Sequence, residues 1–343
     1  MTGTHARVRR WRIVATITMA TALLAACSDA TSGAGPDAAE DAPGLSVLAF
    51  TSSAPGWNAS IPAFGKTDAG AGVSVHTTYG TSRELAQSVL DGAAADVIYL
   101  ADQPNMTRLL QRDKIAEDWN AGPFQGQPFS SVSTLVVREG NPLNIQSWAD
   151  LLRPGVEVVA ANPVLSGSGK WGLLAGYASA SNGGQDEQAG IDYLTKLILE
   201  HVVVGPTTVP EAIEVFLAGS GDVLITAENS AIDTQRNSAG IQIVVPPQTL
   251  RIDNQVAVIE SSTRPEQAAD LVEYLYTPEA QRLWAQTGFR PALPEIVAEF
   301  AADFPQPQRR WTIDEIGGWG QLDPKLYDPE NGIVTKIFAQ ATT

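Results

Sequence analysis

The sequence predicts an α/β protein with two lobes and a ligand cleft between them. Strand and helix patterns alternate from residue 45 onward, which is typical of parallel sheets joined by right-handed crossovers. The length of 343 residues is that of two domains. Two strand patterns, residues 131–138 and 256–259, stand where the chain would cross between lobes. A cleft between lobes is a natural ligand site, and hinge closure is its expected motion.

The crossing strands set the predicted boundaries of the lobes. We assign residues 45–130 and 250–343 to the first lobe and residues 131–249 to the second. Before them, residues 28–44 are Ala, Ser, Asp, Gly and Pro with almost no large apolar side chain. Such a composition cannot build a core, so this segment is expected to be a flexible tether.

Residues 1–27 have the pattern of a bacterial secretory leader. Four Arg residues precede an apolar run, residues 13–26, that is too short to span a bilayer as a stable helix. The run ends Leu-Ala-Ala-Cys, which resembles the lipobox of bacterial lipoproteins, where the Cys is acylated and becomes the new N-terminus. The alternative is a plain secretory signal with a Cys at this place by chance. We predict lipidation at Cys27, which would anchor the protein at the extracytoplasmic face of the cell membrane.

Composition excludes several classes of partner and cofactor. One Cys and three His residues far apart in sequence give neither a disulfide framework nor a metal-ligand cluster, so no metal and no cofactor are expected. Removing the leader takes away four of the 22 basic side chains and none of the 38 acidic ones, leaving a net charge of −20. This charge argues against nucleic acid or an anionic membrane face as partner. An anion site would need local donors in a cleft that excludes water.

Two loops of the first lobe are placed to contact a ligand. The strand at residues 45–50 leads into a loop that contains Ser52, and the strand at 73–77 leads into a helix that opens with a capping box at 81–84. Ligands of open α/β sheets lie beyond the carboxyl ends of the strands, where both loops fall.

The second lobe carries the stretch around which the chain is organised. A buried strand at residues 156–159 precedes Ser-Gly-Ser-Gly at 166–169, and a helix pattern follows at 171–180. Small residues at a helix N-terminus offer unpaired N–H groups to an anion, although an ordinary capped turn is an equally good interpretation. Val164 and Trp171 exclude a P-loop, and Lys170 excludes a nucleophile elbow at Ser168.

Residues 141–151, 154–158, 162–163 and 166–167 together resemble the periplasmic sulfate-binding proteins of bacterial ABC importers, with the actinobacterial branch the most similar. The resemblance runs from about residue 45 to the last helix. It implies a two-lobed periplasmic-binding-protein type II fold with two crossing strands as hinge. It also implies a monomer that captures sulfate or thiosulfate and delivers it to ABC permease subunits, and that is not an enzyme.

The resemblance further implies how the anion is held. In that family neutral donors bind the dehydrated dianion: a Ser hydroxyl, a Trp indole and backbone N–H groups at helix starts. Carried over to this sequence, the motif places the hydroxyl at Ser82 and the other contacts at Ser52, Ser166, Gly167, Ser168, Val209 and Ala227.

Two departures from the family pattern keep alternatives open. Thr51 and Ser52 stand where the family has an acidic residue, and Ala227 stands where it has the indole donor. The loss of a large aromatic side chain predicts an enlarged cleft at Ala227, and with it either weaker sulfate binding than in the family or a preference for a bulkier anion such as thiosulfate. The alternatives are the same fold binding another oxyanion such as molybdate, a divergent surface protein that has lost binding, and an esterase that uses Ser82 or Ser166.

Overall fold

The structure is a computed structural model that describes residues 44–341. Cys27, the leader and the predicted tether up to residue 43 lie outside the described residues. None of the helices between residues 44 and 341 combines the length and the apolar character needed to cross a membrane.

The described chain alternates strands and helices, as predicted. The strands are β1 Leu45–Phe50, β2 Val75–Gly80, β3 Val97–Leu100, β4 Phe129–Arg138, β5 Val158–Ala160, β6 Val202–Val204, β7 Val223–Ala227, β8 Ile241–Val244, β9 Gln248–Val258, β10 Arg290–Pro291 and β11 Arg309–Trp311. The helices are α1 Ala54–Phe64, α2 Ser82–Leu90, α3 Gln103–Leu110, α4 Gly167–Ala180, α5 Glu187–Lys196, α6 Val209–Leu217, α7 Glu228–Asn237, α8 Pro265–Tyr274, α9 Pro278–Gln286, α10 Pro294–Glu299, α11 Trp319–Tyr327 and α12 Ile333–Ala341.

Two sets of parallel strands are joined through a central antiparallel pair. The strand order is β2-β1-β3-β9-β4-β7-β5-β6. β1 runs parallel to β2 and β3, and β5 runs parallel to β6 and β7. β4 and β9 pair with each other in antiparallel register and connect the two sets, which is the arrangement predicted for the crossing strands.

The elements differ from the sequence-based expectation mainly at their ends. β9 begins at Gln248, eight residues before the predicted strand, because the polar run 253–255 continues the ladder inside a buried sheet. α4 begins at Gly167, four residues earlier than predicted, because Ser166 already caps it. Burial and side-chain caps therefore decide these ends where residue propensity favours a loop.

The core consists of separate clusters on the two sides of the central pair. Trp57 and Trp284 belong to the cluster around β1 and β3, and Trp148 and Trp171 belong to the cluster around β5 and β7. The lobe boundaries stay a prediction. The C-terminal helices α11 and α12, predicted for the first lobe, share their core with residues of the second, as Trp319 against Trp171 shows at 4.9 Å between ring centroids.

Candidate functional site

Four turns of the chain meet around a small cavity, which we call the outer compartment. It is lined by residues 50–52, 80–82, 166–168 and 208–210. Each turn follows a strand and opens a helix or a 3₁₀ turn, so unpaired backbone donors collect at one place. The compartment has a volume of about 10 Å³, which is room for about one water molecule.

A second cavity of about 10 Å³, the inner compartment, adjoins the first and shares part of its lining. All seven predicted contact residues line one or both compartments. The outer one takes Ser82, Ser166 and Gly167, the inner one takes Ala227, and Ser52, Ser168 and Val209 line both. The inner lining also includes Phe50, Ala101, Trp171, Asn229, Ser230, Ile252 and Asn254.

The start of α4 supplies two backbone donors. Ser166 is the N-cap, and its Oγ accepts the N–H of Gly169 at 3.2 Å. The N–H groups of Gly167 and Ser168 precede the first intrahelical bond and are left for a ligand. A Cβ built at Gly167 would lie 1.8 Å from Asp102 Oδ2, so only glycine lets α4 approach the end of β3 this closely.

Ser82 presents a hydroxyl rather than a cap. The capping box of α2 uses Thr81 and Glu84, as the sequence predicts. Ser82 Oγ accepts the N–H of Ala101 at 3.0 Å, and the residue is only 2% exposed. Because the oxygen already accepts a hydrogen bond, the hydroxyl proton remains to be donated.

The other two turns contribute one donor group each in a similar way. Thr208 caps α6 by accepting from Glu211, and Pro210 has no N–H, so Val209 carries the free donor of that helix start. Ser52 lies in a 3₁₀ turn, Thr51–Ser53, whose first N–H groups have no helical acceptor. Thr51 Oγ1 donates to Gly80 O at 3.1 Å and so ties the Ser52 turn to the turn before α2.

The inner compartment contains residues that sequence reasoning missed. Asn254 is 2% exposed and its Oδ1 has no hydrogen-bond partner among the described residues. Trp171 lines the same space, but its Nε1 donates to Ala101 O at 2.5 Å, so this indole is already committed. The sequence contains a signal for Asn254, since three consecutive polar residues at 253–255 directly precede the apolar run 256–259.

The expectation of an enlarged cleft at Ala227 is wrong for this structure. The space beside Ala227 holds about one water, and the side chains of Trp171 and Ile252 line it together with Ala227. Ala227 precedes α7 and makes no side-chain cap.

No Lys, Arg or His lines either compartment. Asp102 is a charged residue buried behind Gly167, and its Oδ1 accepts from the backbone and side chain of Asn105. Burial raises the pKa of the Asp102 carboxyl, and Lys170 and the Asn105 hydrogen bonds lower it in part. Lys170 is itself paired with Asp323 at 2.5 Å. Among residues 44–341 no group of His, Cys, Asp and Glu could hold a metal ion.

Two sets of parallel strands joined by a central pair, with hydrogen-bond donors collected around a cavity, are the arrangement of a solute-binding protein. The chain belongs to the family of bacterial extracellular solute-binding proteins, whose model matches residues 45–290. This family is one of binding proteins and not of enzymes, and its extracellular description agrees with the predicted location outside the cytoplasm.

Three individual proteins show which solute-binding proteins this chain is similar to. The chain is 34% identical to the sulfate-binding protein of Synechococcus elongatus over 276 residues, 78% of this chain and 79% of that protein. It is 30% identical to the thiosulfate-binding protein of Pseudomonas aeruginosa over 292 residues, 82% of this chain and 87% of that protein. The solved structure of the sulfate-binding protein SubI from Mycobacterium tuberculosis matches with a TM-score of 0.81 and 48% identity, covering 83% of this chain and 99% of that one. These findings confirm the predicted resemblance and the type II fold.

The close approach at Gly167 generates a prediction. Gly167→Ala forces Asp102 to move, and we expect the free energy of unfolding to fall by about 1–3 kcal/mol, as for other overpacked sites. Urea titration followed by circular dichroism measures it.

Gly320→Ala in α11 is the matched control, since a Cβ there meets nothing within 4 Å. It should leave stability unchanged or raise it by up to about 1 kcal/mol. Equal stability of the Gly167 variant and the parent would show that the contact with Asp102 is not tight.

Proposed function

We propose that this chain captures sulfate outside the cytoplasm and delivers it to the permease of an ABC importer, without catalysing a reaction. The observation that carries the proposal is the meeting of four turns whose free groups are backbone N–H and hydroxyl donors, with no Lys, Arg or His among the residues that line the two compartments. A ligand that is held only by hydrogen-bond donors needs acceptor oxygens and no proton of its own, so these donors suit a fully ionised oxyanion. The sulfate-binding relatives from Synechococcus elongatus and Mycobacterium tuberculosis support the same ligand.

Neutral donors suffice physically for a dianion. Hydrogen bonds to an ionised acceptor are roughly twice as strong as neutral ones, and they gain further where water is excluded. Ser82, Gly167, Ser168, Val209 and Ser52 are the donors we assign to the anion, with Ser166 holding the α4 turn in shape.

Thiosulfate is the second candidate ligand. A thiosulfate-binding relative is 30% identical to this chain. The methyl group of Ala227 beside Trp171 and Ile252 gives the inner compartment an apolar wall, which suits a terminal sulfur better than a sulfate oxygen.

The N-terminal segment fits delivery at a membrane. Lipidation at Cys27 would hold the protein at the extracytoplasmic face of the cell membrane, and residues 28–44 would let the lobes reach a permease as a monomer.

Calorimetric titration of residues 44–343 with sulfate, thiosulfate, molybdate and phosphate tests the ligand. We expect sulfate or thiosulfate to bind most tightly. Ser82→Ala should weaken that binding about ten- to a hundredfold, the cost of one hydrogen bond to a charged group of about 1.5–3 kcal/mol.

Ser82→Ala also removes the acceptor of the Ala101 N–H, so a lower melting temperature is expected and the titration is run well below it. Ser88→Ala on the same helix is the control, because its hydroxyl only donates to Leu85 O. Equal affinity of the parent and the Ser82 variant would refute the assignment of this hydroxyl.

Ala227→Trp tests the inner compartment. An indole at residue 227 would occupy the inner compartment and crowd Trp171 and Ile252, so we expect weaker binding of both sulfate and thiosulfate. Ala227→Ser, which adds a small donor, should bind as the parent does or more tightly. Tighter sulfate binding by the Trp variant in the same titration would mean that the compartment opens to accept the ring.

Cys27→Ser tests the anchor. In cells fed an alkyne fatty acid, the parent should be labelled and recovered with membranes, whereas the variant should be unlabelled and released. Membrane retention of the unlabelled variant would contradict anchoring through Cys27.

A further inference from the structure

A separate cavity of about 480 Å³, which we call the rear cavity, lies against β4, β9, β10 and β11. Its volume is within the range of small-molecule sites. None of the seven predicted contact residues lines it. Its lining combines three arginines with three phenylalanines: Arg251, Arg290, Arg310, Phe124, Phe129 and Phe304.

Two of these arginines are neutralised by acidic partners. Arg290 Nε and Nη2 bind the Glu228 carboxylate at 2.6 and 2.9 Å, and both side chains are buried. Arg251 Nε lies 2.7 Å from Asp253 Oδ1, a charge contact without the alignment of a hydrogen bond.

Arg310 is the third cation, and it has no ion pair or hydrogen bond from its side chain among residues 44–341. Burial first, and then repulsion from Arg290 and Arg251, lowers the pKa of its guanidinium. Glu228 and Asp253 attract it without cancelling that effect. Among the three lining arginines, Arg310 is therefore the one whose side chain is left to pair with a ligand.

The walls next to this charge are aromatic. The Arg290 guanidinium lies 5.3 Å from the centroid of Phe304, so that ring is packed in place. Phe124 stacks on Tyr276 at 5.4 Å and 14°, which holds its ring in place. Aromatic side chains in the lining match a flat apolar ligand body.

The rear cavity is on the other side of β9 from the inner compartment. Ile252 and Asn254 line the inner compartment, whereas Arg251 lines the rear cavity and pairs with Asp253. Alternate side chains of a strand point to opposite faces, so the two sites share a strand without sharing a ligand.

We propose that the rear cavity is a second binding site, which takes a small organic anion with one carboxylate or sulfonate group and an aromatic-sized body, with Arg310 as its counter-ion. An inorganic oxyanion would satisfy the charge but would leave most of the cavity of about 480 Å³ unfilled. The site does not depend on what the two compartments bind.

Benzoate is the probe, and benzamide is its uncharged counterpart of the same shape. Both are titrated calorimetrically into the folded chain at constant ionic strength, with and without saturating sulfate. We expect saturable benzoate binding in both conditions and at least about tenfold weaker binding of benzamide. No benzoate binding, equal benzamide binding, or loss of benzoate binding on adding sulfate would overturn the proposal.

Two variants localise the binding. Arg310→Gln should weaken benzoate about tenfold, whereas Arg309→Gln should not, because Arg309 pairs with Glu315 at 2.8 Å and lies over Trp311. Ala301→Trp places a ring in the cavity from an exposed position and should abolish benzoate binding without unfolding the protein. Parent-like benzoate affinity in either Arg310→Gln or Ala301→Trp would place the probe elsewhere and refute the site.

Discussion

The turn at Ala101 and Asp102 holds the two halves of the site together. The N–H of Ala101 donates to Ser82 Oγ at the start of α2, and the carbonyl of Ala101 accepts the indole N–H of Trp171 in α4. Asp102 packs against Gly167, where no side chain would fit. One dipeptide after β3 thus sets the positions of the hydroxyl of Ser82 and of the α4 N-terminus. Since both backbone groups are buried, losing either partner would leave an unsatisfied polar atom.

The residues that line the two compartments are neutral, although the protein as a whole is acidic. The two compartments offer only neutral groups, in a chain with a formal net charge of −16. Lys170, the cation within α4, is already paired with Asp323. A site made of dipoles holds an anion where the field of the whole protein would repel it, because those dipoles are fixed and close while distant charges are screened.

The sequence predicted the site better than it predicted the space within it. The family resemblance, together with local signals such as turns after strands and helix caps, predicted Ser52, Ser82, Ser166 and Val209 as contacts, and these four residues line one cavity. The inner compartment is different, since Trp171, Ile252 and Asn254 come from distant segments and their packing decides its volume. The absence of an indole at Ala227 therefore does not by itself predict an empty cavity there.

The fold itself was predictable for a similar reason, and β9 shows the limit. Alternating elements and two crossing segments are properties of the sequence pattern, but the polar run 253–255 reads as a loop by propensity. In the structure this run is buried, and its hydrogen bonds go to the neighbouring strands β3 and β4. Its successive side chains therefore lie on opposite faces of the sheet. Asp253 pairs with Arg251 on one face, and Asn254 lines the inner compartment on the other. Polar residues kept inside the central strand place buried polar groups beside two cavities. A buried polar group without a partner costs free energy, and Asn254 Oδ1 is one such group beside the inner compartment.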